Sequence, residues 1–247
     1  VDDLTFGTNG FYQKYAATTL ANSFTDSSDE DHPITANGDV ANTRAEKKVG
    51  DSSIAFDGTG DYLNLAASTD WQPGTSDYTV EFWMNSTQTA NSRIYSCGAH
   101  TSGNYSDCFI RSASDATEFV KISDYYQNDE TDYNLNTASN LTADGDWHHV
   151  ALVRDGTTML RLYIDGVQED SQVVPSTMLW EPSGALSWGS AVGTDRGGGV
   201  TEYYDGYLDE IRISNSCRYP DGTTFTLQTA EFTTDANTLL LIHSNWD

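Results

Sequence analysis

Apolar and polar residues alternate with a period of two through most of this chain: SIAF at 53–56, YLNL at 62–65, YTVEFWM at 78–84, RIYSC at 93–97, CFIRS at 108–112, EFVKIS at 118–123, HHVALVR at 148–154, MLRLYI at 159–164, LSWG at 186–189, YLDEIRI at 207–213 and TLLLIHS at 238–244. Successive side chains on a strand point to opposite faces, so each run predicts a strand with one face toward a core. No comparable stretch holds a helical period. The runs are separated by turns rich in Gly, Asp, Asn, Ser and Thr, the pattern of an all-β antiparallel sandwich or barrel.

Two turns predict part of the topology. HHVALVR is followed by DGTT, then MLRLYI, then Asp165-Gly166, then VQE; Asp-Gly pairs favour tight hairpins, so three consecutive strands form a meander. In YTVEFWM, Val80, Phe82 and Met84 share one face, while Glu81 and Trp83 share the other. The first face packs the core. The second lies either on an open concave surface or under a covering loop. Residues 1–50 differ in character: FTDSSDEDHPITANGD is polar and predicts an extended arm or early edge strand with acidic loops. All-β sandwiches reach 247 residues as single units, so one domain over residues 1–247 is expected.

Charge narrows the partners. Only 12 Lys and Arg stand against 37 Asp and Glu, a formal net charge of −25, which repels phosphate backbones and argues against nucleic acid. Most of that charge is solvated surface, but hard oxygen ligands suit Ca²⁺, and a few carboxylates are candidates for it. No apolar run approaches the roughly 18 residues of a membrane span, and no basic-then-apolar signal opens the sequence. It begins at Val1 and stops after LLLIHSNWD, which suits a processed chain and a segment of something longer equally.

Cys97 and Cys108 flank GAHTSGNYSD, a predicted hairpin loop whose strands could bring the two thiols within bonding distance. Three reduced thiols, Cys217 included, is the alternative, since an odd cysteine excludes a disulfide framework. FDGTGDYLNL at 56–65 sets Asp57 and Asp61 beside a Gly-Thr-Gly corner. Gly reaches φ > 0 and Asp caps its own backbone, so the plain reading is a turn.

Four blocks, FDGTGDYLNL, DYTVEFWM, DGDWHHVALVRDGTTMLRLYIDGV and GYLDEIRIS, stand in the order and spacing of a known pattern from about residue 50 to residue 220. In these blocks the chain resembles the laminin G-like members of the concanavalin A-like lectin and glucanase superfamily. It is similar in particular to domains of tail-fibre and other virion proteins of tailed bacteriophages, where FTDSSDEDHPITANGD and DANTLLLIHS also fit. The resemblance implies a jelly roll of two curved antiparallel sheets that binds through its concave face or rim loops. It implies no chemistry, because the same fold hosts lectins, adhesion modules and glucanases.

The retaining glucanases of that superfamily set their carboxylates at E-x-D-x-x-E or E-x-D-x-E spacing, since nucleophile and acid/base stand about 5 to 5.5 Å apart. No such spacing occurs here. The clusters SSDEDH at 27–32 and NDETDY at 128–133 read as loops, and no G-x-S-x-G or H-E-x-x-H is present. No catalytic residue is therefore expected. His148 and His149 are adjacent on a predicted strand and point to opposite sides, which disfavours zinc; Trp188 reads as core.

For calcium, the resemblance implies that an aspartate early in a late strand meets the early corner. Asp209, expected to share its face with Ile211 on a regular strand, would thus join Asp57 and the carbonyl of Gly58 or Gly60 around a structural Ca²⁺. The alternative is a capping role for Asp57 and amide hydrogen bonds for Asp209.

For ligand binding, a sugar ring offers a C–H face to aromatics and hydroxyls to amides and acids. DYYQNDETDYN at 124–134 reads as a loop carrying Tyr125, Tyr126, Asp129 and Tyr133, with Trp180 in LWEPSG and Tyr203 and Tyr204 in TEYYDGY as further candidates. The expectation is a non-catalytic, calcium-stabilised module binding a cell-surface glycan or receptor, within a larger virion or extracellular assembly. Neutral glycans are favoured, given the charge. A structural decoration module and a glucanase with unrecognised residues are the alternatives.

Overall fold

The computed structural model describes residues 24–98, 105–112, 118–125, 132–137, 143–156, 158–174, 182, 184–191, 200–220 and 222–245. Among them the strands run, in chain order, β1 (Ile34–Asn37), β2 (Ala41–Thr43), β3 (Ser53–Asp57), β4 (Tyr62–Leu65), β5 (Tyr78–Asn85), β6 (Ser92–Cys97), β7 (Tyr105–Ser112), β8 (Glu118–Tyr125), β9 (Asp132–Asn136), β10 (His148–Asp155), β11 (Met159–Ile164), β12 (Val167–Val173), β13 (Leu186–Trp188), β14 (Asp205–Ser214) and β15 (Thr238–Ile242). Among the described residues the only helical segment is one 3₁₀ turn, Thr69–Trp71.

The strands form two antiparallel sheets. One has the order β1-β4-β13-β6-β7-β8-β9, the other β12-β11-β10-β5-β14-β3-β2 with β15 paired to β14. The meander β10-β11-β12 is present, and its second turn is made by Asp165 (φ 51°) and Gly166 (φ 75°), the two positive φ values a two-residue I′ hairpin requires. Gly166 is doubly constrained, since a Cβ there would stand 2.4 Å from the carbonyl oxygen of Phe225.

The inter-sheet core follows the period-two pattern. Val80, Phe82 and Met84 of β5 lie with Val150 and Leu152 of β10 and Leu160 and Leu162 of β11, opposite Leu63, Leu65, Tyr95, Leu186 and Trp188. Phe82 meets the Trp188 ring edge-on at 5.5 Å. Fully burying each such side chain contributes about 1.5–3 kcal/mol.

All eight residues of β5 are buried, including its second face. The segment after β14 crosses the outside of this sheet: Phe232 packs with Trp83 and Leu241, and Tyr219, Phe225 and Cys217 pack on Ala151, Val153 and Tyr163. Trp83 therefore lies under a covering segment, not on an open surface.

Register corrects the cysteine expectation. Cys97 of β6 lies opposite Ser106, and Cys108 of β7 lies opposite Tyr95, so the two cysteines are diagonal neighbours. Diagonal positions stand about 7–8 Å apart at Cα, beyond disulfide reach, and Cys97 is a buried thiol.

Candidate functional site

The corner after β3 is built by glycine conformations. Gly58 (φ 78°) and Gly60 (φ 84°) turn the chain, and Gly38 (φ 72°) brings the loop between β1 and β2 against it. This collects three carboxylates. Asp61 is 2% exposed, with its Oδ1 accepting the Asp39 N–H (2.7 Å) and its Oδ2 the Asp57 N–H (3.1 Å). Asp57 Oδ1 caps the Thr59 N–H at 2.7 Å. Carboxylate oxygens of Asp39, Asp57 and Asp61 all lie within 4.8 Å of one another. Burial, and after it the charge of Asp57, raises the Asp61 pKa against the amides that lower it.

Asp209 is not part of this corner. Asp57 pairs across the sheet with Asp205, while Asp209 pairs with Trp83, four residues further along β14 and so about 13 Å away. The expected shared face with Ile211 is overturned by a bulge: β14 shifts register between Asp209 and Arg212, with Glu210 at φ 49°. Asp209 consequently faces outward with Trp83 while Leu208, Ile211 and Ile213 face the core. Its carboxyl is fully buried and accepts the N–H groups of Lys48 (3.0 Å), Val49 (2.9 Å) and Glu210 (2.9 Å). Burial pushes its pKa up to about 7. A raised carboxyl is the usual mark of a general acid, but this one is sealed from any substrate.

The aromatic candidates disperse. Tyr125 is the last residue of β8 and Tyr133 lies within β9, so both occupy strand positions where the sequence pattern predicted loop. Tyr126, Asp129 and Trp180 lie outside the described residues. Tyr203 is half-buried, its hydroxyl donating to the Val200 carbonyl at 3.1 Å. Tyr204 is wholly buried: it donates to the Asn85 carbonyl at 3.0 Å and packs edge-on to Phe56, so it is a core residue and presents no stacking face.

The covered face of the larger sheet holds a constellation that the sequence did not disclose. Glu81 Oε1 accepts Arg212 through Nε (2.8 Å) and a terminal nitrogen (2.7 Å), and Oε2 accepts the Tyr219 hydroxyl at 2.6 Å. His149 Nε2 stands 3.3 Å from Oε2. Burial opposes ionisation of Glu81, yet His149, Arg212 and Tyr219 together hold its pKa down at about 2. The only advance signal was Glu81 beside Trp83 on one strand face; its partners come from residues 149, 212 and 219, which no local pattern connects.

Between β14 and the crossing segment is an open cleft of ≈390 Å³, lined by Arg212, Arg218, Tyr219, Thr226, Gln228 and Asp235 among others. Arg218 is forked onto Asp235 at 3.1 and 3.0 Å and donates from Nε to Ser214 at 2.6 Å. A smaller hollow of ≈100 Å³ shares Arg218 and Tyr219 with it and is walled by Tyr163 and Phe225. Tyr219 and Phe225 stack at 3.6 Å with 5° between their planes.

His148, at the end of β10, lies between Asp165 (2.7 Å) and Asp144 (3.1 Å). His148 and His149 thus serve different networks.

Residues 57–221 match the family described as Laminin_G_3, concanavalin A-like lectin/glucanases superfamily. No curated protein matches the chain by sequence. Among solved structures, the binding domain of Paraclostridial Mosquitocidal Protein 1 is similar at a TM-score of 0.61 and 10% identity, covering 82% of this chain and 48% of that one. The receptor binding domain of botulinum neurotoxin D gives 0.61 and 12%, with 82% and 48% covered. A structure of botulinum neurotoxin type C, whose cell entry is described as dependent upon interaction with two ganglioside molecules, gives 0.60 and 12%, with 81% and 47% covered. At such identities the likeness is one of fold, and this chain spans about half the length of those structures.

Proposed function

Because the chain belongs to the concanavalin A-like lectin/glucanases superfamily, we propose that it is a non-catalytic module that binds a glycan or a glycan-bearing receptor at a cell surface. The observation that carries this reading is the two-sheet jelly roll shared with botulinum neurotoxin receptor binding domains over 82% of the chain. Binding is assigned to Tyr125 at the end of β8 and Tyr133 in β9, with Tyr126 and Asp129 from the sequence between them, and to Trp180 and Tyr203 as second contacts. The non-catalytic part is supported by the state of the shifted carboxyls, since Glu81 and Asp209 are both buried and engaged. A virion or extracellular parent assembly belongs to the same proposal and rests only on the resemblance implied for FTDSSDEDHPITANGD and DANTLLLIHS.

Calcium fits the corner through the chemistry of its donors. Asp39, Asp57 and Asp61 offer hard oxygens within 4.8 Å, and a cation would offset the burial and the Asp57 charge that raise the Asp61 pKa. The ion's role there is structural, tying the β1–β2 loop to the end of β3.

A glycan array probed with the purified chain, with and without Ca²⁺, tests the function. Reproducible glycan hits, weakened roughly fivefold or more by Tyr126→Ala or Tyr133→Ala, are expected. An empty array under both conditions would leave a structural decoration module; release of reducing sugar from β-glucans would establish a hydrolase instead.

A further inference from the structure

We propose that the cleft between β14 and the segment crossing it is a second saccharide site, and that it takes a neutral hexose. It is separate from the residues assigned above: it lies on the outer side of the sheet that contains β14, whereas β8 and β9 belong to the other sheet. The cleft's ≈390 Å³ falls within the range of small-molecule sites.

Its lining selects the ligand. Hydroxyls of Ser216, Thr226 and Thr233 and the amide of Gln228 supply donors and acceptors suited to sugar hydroxyls. Both guanidinium forks are already occupied, Arg212 by Glu81 and Arg218 by Asp235, so the two cations are matched by two anions. An anionic ligand would have to displace a carboxylate in a chain of net charge −25. A neutral polyol instead uses the N–H groups these forks leave over.

Tyr219 lines both the cleft and the smaller hollow. Tyr219 and Phe225 form a parallel aromatic pair beside the smaller hollow, and the Tyr219 hydroxyl is anchored on buried Glu81 at 2.6 Å. The ring is therefore fixed before any ligand arrives, which lowers the ordering cost of binding. Gln228 donates its amide to the Glu231 carbonyl at 2.7 Å, which orients its own carbonyl oxygen as an acceptor.

The test is saturation-transfer NMR on the full chain with methyl glycosides of glucose, galactose, mannose and N-acetylglucosamine, and with N-acetylneuraminic acid as the anionic control. At least one neutral glycoside should receive saturation. Thr226→Trp, which fills the cleft from an exposed position, and Gln228→Ala should each reduce the signal about fivefold or more without moving the melting temperature. Both losses are read in a Tyr126→Ala background, in which the site assigned above is weakened and no longer adds to the signal. No transfer to any neutral glycoside, transfer that survives Thr226→Trp in the Tyr126→Ala background, or transfer to N-acetylneuraminic acid alone would overturn the proposal. Array hits that survive Thr226→Trp but disappear in Tyr126→Ala would remove this cleft while leaving the loop reading in place.

Discussion

Asp61 at the acidic corner and Glu81 beneath the crossing segment are both carboxylates removed from water, and their environments push them in opposite directions. Asp61 is buried with only two amide N–H groups against the carboxylates of Asp57 and Asp39, and its pKa rises. Glu81 is the more deeply buried, yet two arginines, a histidine and a tyrosine hydroxyl surround it, and its pKa falls to about 2. Burial alone therefore does not decide protonation; the sign of what is buried alongside does. The corner is left short of positive charge, which is where an added cation helps. The covered face is internally neutral, and there the cleft above it favours uncharged ligands.

The largest expected effect comes from breaking the neutral network. Glu81→Gln leaves the Arg212 cation buried without its partner and should cost about 3–5 kcal/mol in urea unfolding. Removing both, as Glu81→Leu with Arg212→Met, should cost less than either single change, because no lone charge remains. A double variant as damaged as the sum of the singles would show that the network stabilises by more than mutual neutralisation.

The pH profile follows next. Asp209, raised from 3.8 to about 7, binds more protons folded than unfolded, so stability falls as pH rises through that window. His32, held by Asp26 and Asp70 against the lowering effect of burial, His148, held by Asp165 and Asp144, and His243, held by Glu210, are all raised above 6.5. Their contributions are complete below 6.5 and are lost as pH rises through their higher folded values. Glu81, lowered from 4.5 to about 2, acts oppositely, its contribution disappearing as pH falls below 4.5. Thermal melts should therefore peak between about pH 4 and pH 6. A maximum on the alkaline side would contradict these assignments.

A smaller effect sharpens the separation of the two regions. Asp209→Asn should flatten the slope of stability between 3.8 and about 7 while leaving any response to Ca²⁺ intact, since Asp209 is remote from the corner. Smallest is the corner itself: Ca²⁺ should raise the melting temperature by a few degrees by mass action on the folded state, and Asp57→Asn should abolish the rise. A calcium response lost in Asp209→Asn but kept in Asp57→Asn would reverse the two sites.

What depends on nearest neighbours along the chain was readable from the residues in order. The strands, the Asp165-Gly166 hairpin and the inward face of Val80, Phe82 and Met84 were legible because side-chain alternation and turn conformation are local properties. Tertiary structure alone decided what depends on register between distant strands. A single bulge at Glu210 turned Asp209 away from Ile211, a two-residue offset separated Cys97 from Cys108, and burial against Phe56 and Asn85 converted Tyr204 from a predicted loop aromatic into core. The crossing segment was illegible for the same reason: its apolar residues 217, 219, 225 and 232 are too sparse to read as an element. Only the sheet beneath, with its polar outer face of Glu81, His149 and Arg212 needing cover and partners, explains why they lie where they do.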